Sequence, residues 1–310
     1  MAQFDPAIGT TIANPTSGGE QAAFINDLVS HVLSQGAGAS RPTNLTAGGV
    51  WAKDIGGGDY EVYLYDGASD HLIQSSSVFL GRLINIQVFD TAGAATYTPT
   101  TGTKKARIAM VGAGAGGGGA DSDVDGDDTG VGGGGGAGAF VFGEIDVSAG
   151  GYSATLNIGA AGAGGSNTAN GSDGGNTTYS DGTVSWTAEG GNGGVSAQDK
   201  GNFASLGGLG GPPATNTGNS WQQRGQPGEN GTTTNVSGGG NQFSSGGAGG
   251  SSLYGSGGRG GAANFNGDSS DGGNAYGYGA GGGGAASCGN VVAKDGGDGT
   301  SGVILVYEYA

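Results

Sequence analysis

The sequence predicts a mainly β fold. A short N-terminal helix and a small β module come first, and a glycine-rich β-sandwich with packed polyglycine-II-like segments follows. Three observations predict it. The chain has 78 glycines in 310 residues, only 13 of them before residue 101. Glycine has no side chain to bury and loses the most backbone entropy on folding, so such a segment cannot order itself around an ordinary core. Apolar residues nevertheless recur at period two in several short runs, the mark of half-buried strands. The chain also closes on Gly302-Val-Ile-Leu-Val-Tyr-Glu-Tyr309, a strand that needs a pairing partner. By composition alone the glycine-rich stretch reads as a flexible linker. Its length of about two hundred residues and its interspersed Trp, Tyr, Phe, Leu and Val oppose that reading.

Taken in order, residues 1–18 read as an extended arm, since Pro6 and Pro15 disfavour helix. Ser17-Gly-Gly-Glu20 has the spacing of a helix start. Phe24, Ile25, Leu28, Val29, Val32 and Leu33 then recur at helical spacing. Two heptads cannot stand alone. They serve either as a helix packed on its own domain or as a short seam in a homotrimer. Residues 41–74 read as a small antiparallel unit, with a glycine turn at 56–59, the run Tyr60-Glu-Val-Tyr-Leu-Tyr65, and a turn at Asp66-Gly67. The glycine content shifts near residue 111. Two domains are expected: an N-terminal region over 1–80 and a glycine-rich β domain over 81–310.

Within the second domain, strands are expected at Leu83–Phe89, 104–111, 139–147, 154–158 and 303–309, with turn-rich chain at 96–100. Asn176 to Trp186 reads as a hairpin about Asp181-Gly182. Beyond Gly190 apolar periodicity is lost. Glycine runs can still be ordered if they form left-handed polyproline-II-like helices. Lacking Cβ atoms, these can pack side by side and bond backbone to backbone. The expected hybrid is a sandwich from 83–190 and 303–309 with packed glycine helices between. The alternative is a sandwich with long disordered glycine loops.

The net charge of −16 disfavours nucleic acid and anionic membrane surfaces, which need clustered Lys and Arg. One cysteine, Cys288, excludes an internal disulfide framework. No apolar run approaches the ~20 residues of a membrane helix, so no membrane insertion is expected. The N-terminus lacks a signal-peptide pattern, so synthesis in a cytosol is expected.

Two stretches carry a resemblance. Arg41-Pro, Ala47-Gly-Gly-Val-Trp51, a glycine turn and Tyr63-Leu-Tyr-Asp-Gly67 resemble a small module of bacteriophage tail-fibre and tail-spike proteins. Tyr97 to Gly119, a basic strand ending in Val-Gly-Ala-Gly, and the closing strand at 302–309 resemble the glycine-rich domain of phage tail-fibre and receptor-binding proteins. Packed glycine helices also resemble tail-fibre-tip adhesins and certain glycine-rich antifreeze proteins; the irregular gaps between glycine clusters suit the adhesin. The resemblance implies a structural protein of the virion tail that adheres to the host cell surface. It implies a homotrimer whose N-terminal region joins other tail or baseplate proteins and whose glycine-rich part meets a protein or glycan receptor. A polysaccharide-degrading tail enzyme and a purely architectural tail component are the alternatives.

Candidate site residues follow from composition. Trp221, Arg224, Phe243, Tyr254, Arg259, Phe265, Tyr276 and Tyr278, with Phe203, are aromatic and arginine inserts flanked by Ser, Gly and Asn, the make-up of adaptable recognition loops. Each could equally fill the margin of the fold. Asp121, Asp123 and Asp125 in Asp-Ser-Asp-Val-Asp-Gly126 match the first half of a Ca²⁺ loop, but Gly132 stands where an EF-hand has its bidentate Glu. A solvated acidic loop is the alternative. Gly112-Ala-Gly-Ala-Gly-Gly117 satisfies G-x-G-x-x-G by chance, with no helix expected after it. His31 and His71 lie in different elements and no nucleophile motif appears, so no catalytic residue is assigned.

Overall fold

The computed structural model describes residues 40–41, 43, 45–56, 59–75, 82–121, 129–148, 150–199, 204–212, 216–236, 241–264, 268–289 and 292–310. The expected arm and helix of 1–39 lie outside them, as do Asp123, Asp125, Phe203 and Phe265. The described chain is mainly β with open sheets, and no helix occurs in it. None of its elements is a helix long and apolar enough to cross a membrane. It divides into two compact units, one ending at Arg82 and one spanning Leu83–Tyr309.

The first unit is a three-stranded antiparallel meander of Val50–Gly56, Asp59–Tyr65 and Asp70–Ser75. The Asp66-Gly67 turn forms as the sequence implies. Gly67 has φ +102°, and Asp66 Oδ1 accepts the Ala68 and Ser69 amides at 2.7 Å. These backbone bonds, with His71, hold the Asp66 carboxyl far below the usual range. The residues that carry the tail-module resemblance converge. Trp51 stacks on Tyr63 with centroids 5.1 Å apart, and its Nε1 donates to Asp70 Oδ1 at 3.0 Å. Arg41 donates to the same oxygen and lies 3.6 Å over the Tyr65 ring.

Two open antiparallel sheets dominate the strand part of the second unit. One has five strands in the order Ser220–Gln223, Phe140–Asp146, Lys105–Val111, Val303–Tyr309 and Leu83–Phe89. The other orders Ser185–Ala188, Thr177–Ser180, Ala154–Ile158 and Gly93–Tyr97. Alternation sends one face of each into a shared apolar cluster that includes Ile108, Met110, Val141, Leu156, Ile158, Tyr179, Trp186, Ile304 and Val306. Residues 93–97, expected to be turn-rich in part, form a strand because they pair with 154–158. Glu308 of the closing strand is fully buried. Burial opposes its charge, but donors from Thr100 (hydroxyl and amide), Tyr97 and Gln87 at 2.6–3.1 Å outweigh it and hold the carboxyl below its usual value.

The rest of the second unit is held by backbone. In residues 112–120 successive N–H groups turn to three neighbours in rotation. Gly112, Ala115 and Gly118 donate to Ala139, Gly136 and Gly133. Ala113, Gly116 and Gly119 donate to Gly175, Ser172 and Ala169. Gly114, Gly117 and Ala120 donate to Thr300, Gly297 and Lys294. Every partner steps back by three, so the period is three residues and these neighbours run antiparallel. The carbonyls of Ala113 to Gly118 in turn accept from residues 162 and 165, 191 and 194, and 282 and 285, which run parallel. One glycine run is thus ringed by six, with N···O distances of 2.8–3.0 Å. Residues 132–139 and 279–285 are ringed in the same way, and all three runs are buried throughout.

The interior glycines of these runs, Gly114 and Gly117 for example, have no left-handed φ; that conformation falls at turn positions such as Gly67 and Gly182. They are needed because backbones touch. A Cβ on Gly114 would lie 1.9 Å from the Ala280 carbonyl oxygen, and one on Gly117 would lie 2.0 Å from that of Gly283. Where a run faces outward, side chains close the network. Asn170, Asp173 and Asn176, three apart, accept the amides of Ser196, Gly193 and Gly190 at 2.7–2.9 Å. Short strands also occur beyond Gly190, among them Gly231–Val236 paired with Asn241–Ser245. Apolar alternation does not announce them because their pairing is set by the lattice beside them.

Candidate binding surface

The five-stranded sheet has a second face, away from the apolar cluster. Register places Trp221, Phe142, Ala109, Leu305 and Val88 directly opposite one another in one row across all five strands. The next row toward the lattice is Gln223, Phe140, Val111 and Val303; the row on the other side is Glu144, Arg107, Tyr307 and Ile86. Phe142, Tyr254, Tyr278, Leu305 and Tyr307 pack half-buried around Ala109, Val111, Phe140 and Val303. Tyr254 and Tyr278 arrive on a separate ribbon, Tyr254–Ser256 paired with Tyr276–Tyr278, in which they face each other. Phe140 sits edge-on to both Trp221 (centroids 5.6 Å apart) and Tyr254 (6.1 Å).

The face is apolar and open. Trp221 is 58% exposed, Val88 53% and Ile86 46%. One charged group crosses it: Glu144 accepts from Arg107 Nε and Lys105 Nζ, each at 3.0 Å, and these partners hold its carboxyl below the usual range. Burial and the nearby Tyr307 push the Tyr254 hydroxyl up, while Tyr278 is raised by donating to Asp90 Oδ2 at 2.9 Å.

Of the residues singled out from sequence, Trp221, Tyr254 and Tyr278 meet on this face and Arg224 follows Trp221 at its margin. Tyr276 is 75% exposed at the far end of its ribbon, opposite Ser256. Phe243 lies on the separate sheet of 204–264, and Arg259 faces solvent from a glycine run. Asp121 is described; its carbonyl accepts the Ser287 hydroxyl. Phe140, Phe142, Leu305 and Tyr307 escaped the sequence reading, because strand residues look like core. The signal that could have found them is the alternation itself, which assigns Phe140 and Phe142 to one face and Val141 to the other.

A separate cleft of about 660 Å³ is lined in part by Glu144, Asp146, Tyr152 and Asp181. Tyr152 donates to Asp181 Oδ2 at 2.7 Å and so accepts from Tyr179. All three carboxyls lie below their usual range. The Arg107 and Lys105 hydrogen bonds act on Glu144, and Ser148 acts on Asp146. At Asp181, burial is outweighed by Tyr152 and the Val184 and Thr183 amides. No set of three ligating side chains gathers among the described residues.

The family of glycine-rich domains matches residues 90–309 of the chain. No curated protein matches it.

Proposed function

Given that the chain belongs to the glycine-rich domain family, we propose that it is a structural virion protein, a phage tail-fibre or receptor-binding protein that adheres to the host surface. The observation that carries this reading is the gathering of Trp221, Phe140, Phe142, Tyr254, Tyr278, Leu305 and Tyr307, from five separate segments, at one open sheet face. Exposed apolar and aromatic surface of this kind marks an interaction site. The two facing sheets are read as a sandwich. The glycine runs are read as packed polyglycine-II helices, whose three-residue period matches the hydrogen-bond rotation. Together they give a rigid support for the face. The N-terminal region joins other tail proteins and the working form is a homotrimer, so weak single contacts add up through avidity. Ca²⁺ at the 121–125 loop belongs to the same reading.

The test is binding of the labelled full chain to a panel of bacterial strains, with and without chelator. Strain-specific binding that falls about 30-fold in Trp221→Ala supports the reading. A folded trimer or monomer that binds no strain overturns it in favour of an architectural role. A tail enzyme has the acid-lined cleft in its favour. Glycoside cleavage needs one carboxyl raised to donate a proton, and here all three are lowered. Reducing sugar released from host envelope would restore the enzyme reading.

A further inference from the structure

Beside the aromatic face lies a cavity of about 170 Å³, lined by Gly138, Phe140, Gln223–Gly225, Gln226 and Ser251–Leu253. It falls below the ~300–1,000 Å³ of sites for drug-sized ligands. Its occupant is therefore one small ring or a terminal group. The aromatic wall is Phe140, and Trp221 flanks it on the same face of the strand as Gln223. Amide and hydroxyl groups come from Gln223, Gln226, Ser251 and Ser252. Ser252 Oγ is engaged with the Tyr278 carbonyl and the Tyr254 amide, which fixes the rim. Ser251 Oγ accepts from the Gly257 amide at 3.1 Å, which leaves its own proton to donate.

The charge of the lining is unlike that of the chain. Acidic residues outnumber Lys and Arg by 26 to 10, yet the one charged lining residue is Arg224, and no carboxylate lines the cavity. Arg224 forms no ion pair among the described residues, whereas Arg41 and Arg107 each have an acidic partner. A guanidinium fork recognises a carboxylate through two parallel hydrogen bonds. An aromatic ring beside amides and a hydroxyl matches the C–H face and the hydroxyls of a sugar ring, since the negative ring face attracts C–H groups.

We infer that this cavity receives a carboxylated sugar, with Arg224 on the carboxylate and Phe140 and Trp221 against the ring. The inference rests on the adhesion reading and names its ligand class. Calorimetry on the full chain would use oligogalacturonate, the neutral oligogalactose of equal length, and inorganic phosphate as probes. Oligogalacturonate should bind at least about tenfold more tightly than the neutral oligomer, and Arg224→Gln should remove that preference while the far-UV spectrum stays unchanged. Equal affinity for the neutral oligomer, an unchanged preference in Arg224→Gln, or tighter binding of phosphate than of oligogalacturonate would each overturn it. Cell binding that persists without competition by oligogalacturonate would sink the sugar assignment and leave adhesion standing. Loss of cell binding altogether would sink adhesion first.

Discussion

The two halves of the second unit are held together in opposite ways. Around Trp186, strands bury large side chains against each other, and the backbone bonds lie within the sheets. Around residues 112–120 almost nothing larger than a methyl group is buried, and the bonds run between six neighbouring segments. Apolar area stabilises the first at roughly 25 cal/mol per Å². Complete pairing of buried backbone groups stabilises the second, where each bond adds on the order of 1 kcal/mol and each orphaned group costs more than that. The contrast teaches that removal damages one region and addition damages the other.

Addition should have the largest effect. Gly114→Ala places a methyl carbon where the Ala280 carbonyl stands, and that carbonyl cannot retreat without breaking the ring of bonds around it. A loss on the order of 5 kcal/mol is expected, measured as a collapse of the chemical denaturation midpoint. Trp186→Ala tests removal. The indole is 1% exposed, and its Nε1 donates to the Thr217 carbonyl at 2.8 Å. The cost should be about 4 kcal/mol in the same assay. If Gly114→Ala proved milder than the loss of Trp186, the lattice would be less rigid than its distances imply.

Glu308 joins the two logics, a buried charge satisfied by hydrogen bonds in an otherwise apolar sheet. Glu308→Ala should cost on the order of 3 kcal/mol, because the Tyr97 and Thr100 donors lose their acceptor. Its folded pKa lies below the unfolded value of about 4.3, so the folded state binds its proton less readily. The stabilisation is complete above that unfolded value and disappears as pH falls through the folded one. A thermal melt series from pH 6 to pH 2 should show a drop in the wild type that Glu308→Gln reduces. The smallest effect is expected at the lattice rim. Asp173→Ala leaves the Gly193 amide to water and should cost about 1 kcal/mol or less, read as faster hydrogen exchange at that amide.

Much of the apolar half was legible. Strands 83–89, 105–111, 154–158 and 303–309 and the hairpin about Asp181-Gly182 follow from alternation and turn chemistry, because side chains do the holding there. In the other half the informative period is three. Gly-Gly-Asn192-Gly-Gly, Gly-Gly-Leu209-Gly-Gly, Gly-Gly-Ala248-Gly-Gly and Gly-Gly-Arg259-Gly-Gly each place a larger residue at every third position. Asn192, Leu209 and Arg259 are exposed. A search for apolar periods of 2 and 3.6 passes over that signal. The glycine gaps looked irregular because the loops between runs vary while the runs do not. The site was legible only where an aromatic stood among glycines. Trp221, Tyr254 and Tyr278 were visible, whereas Phe142 and Tyr307 were hidden inside strands whose exposed face only register reveals.

The ring around residues 112–120 also fixes an order of events during synthesis. That run leaves the ribosome before any of its six neighbours, and the last of them, residues 294–300, comes some 180 positions later. The amides of Gly114, Gly117 and Ala120 cannot find native partners until translation of the chain is nearly finished. Contact order is therefore high, folding is expected to be slow and late, and a fragment truncated before residue 294 has no route to the finished core.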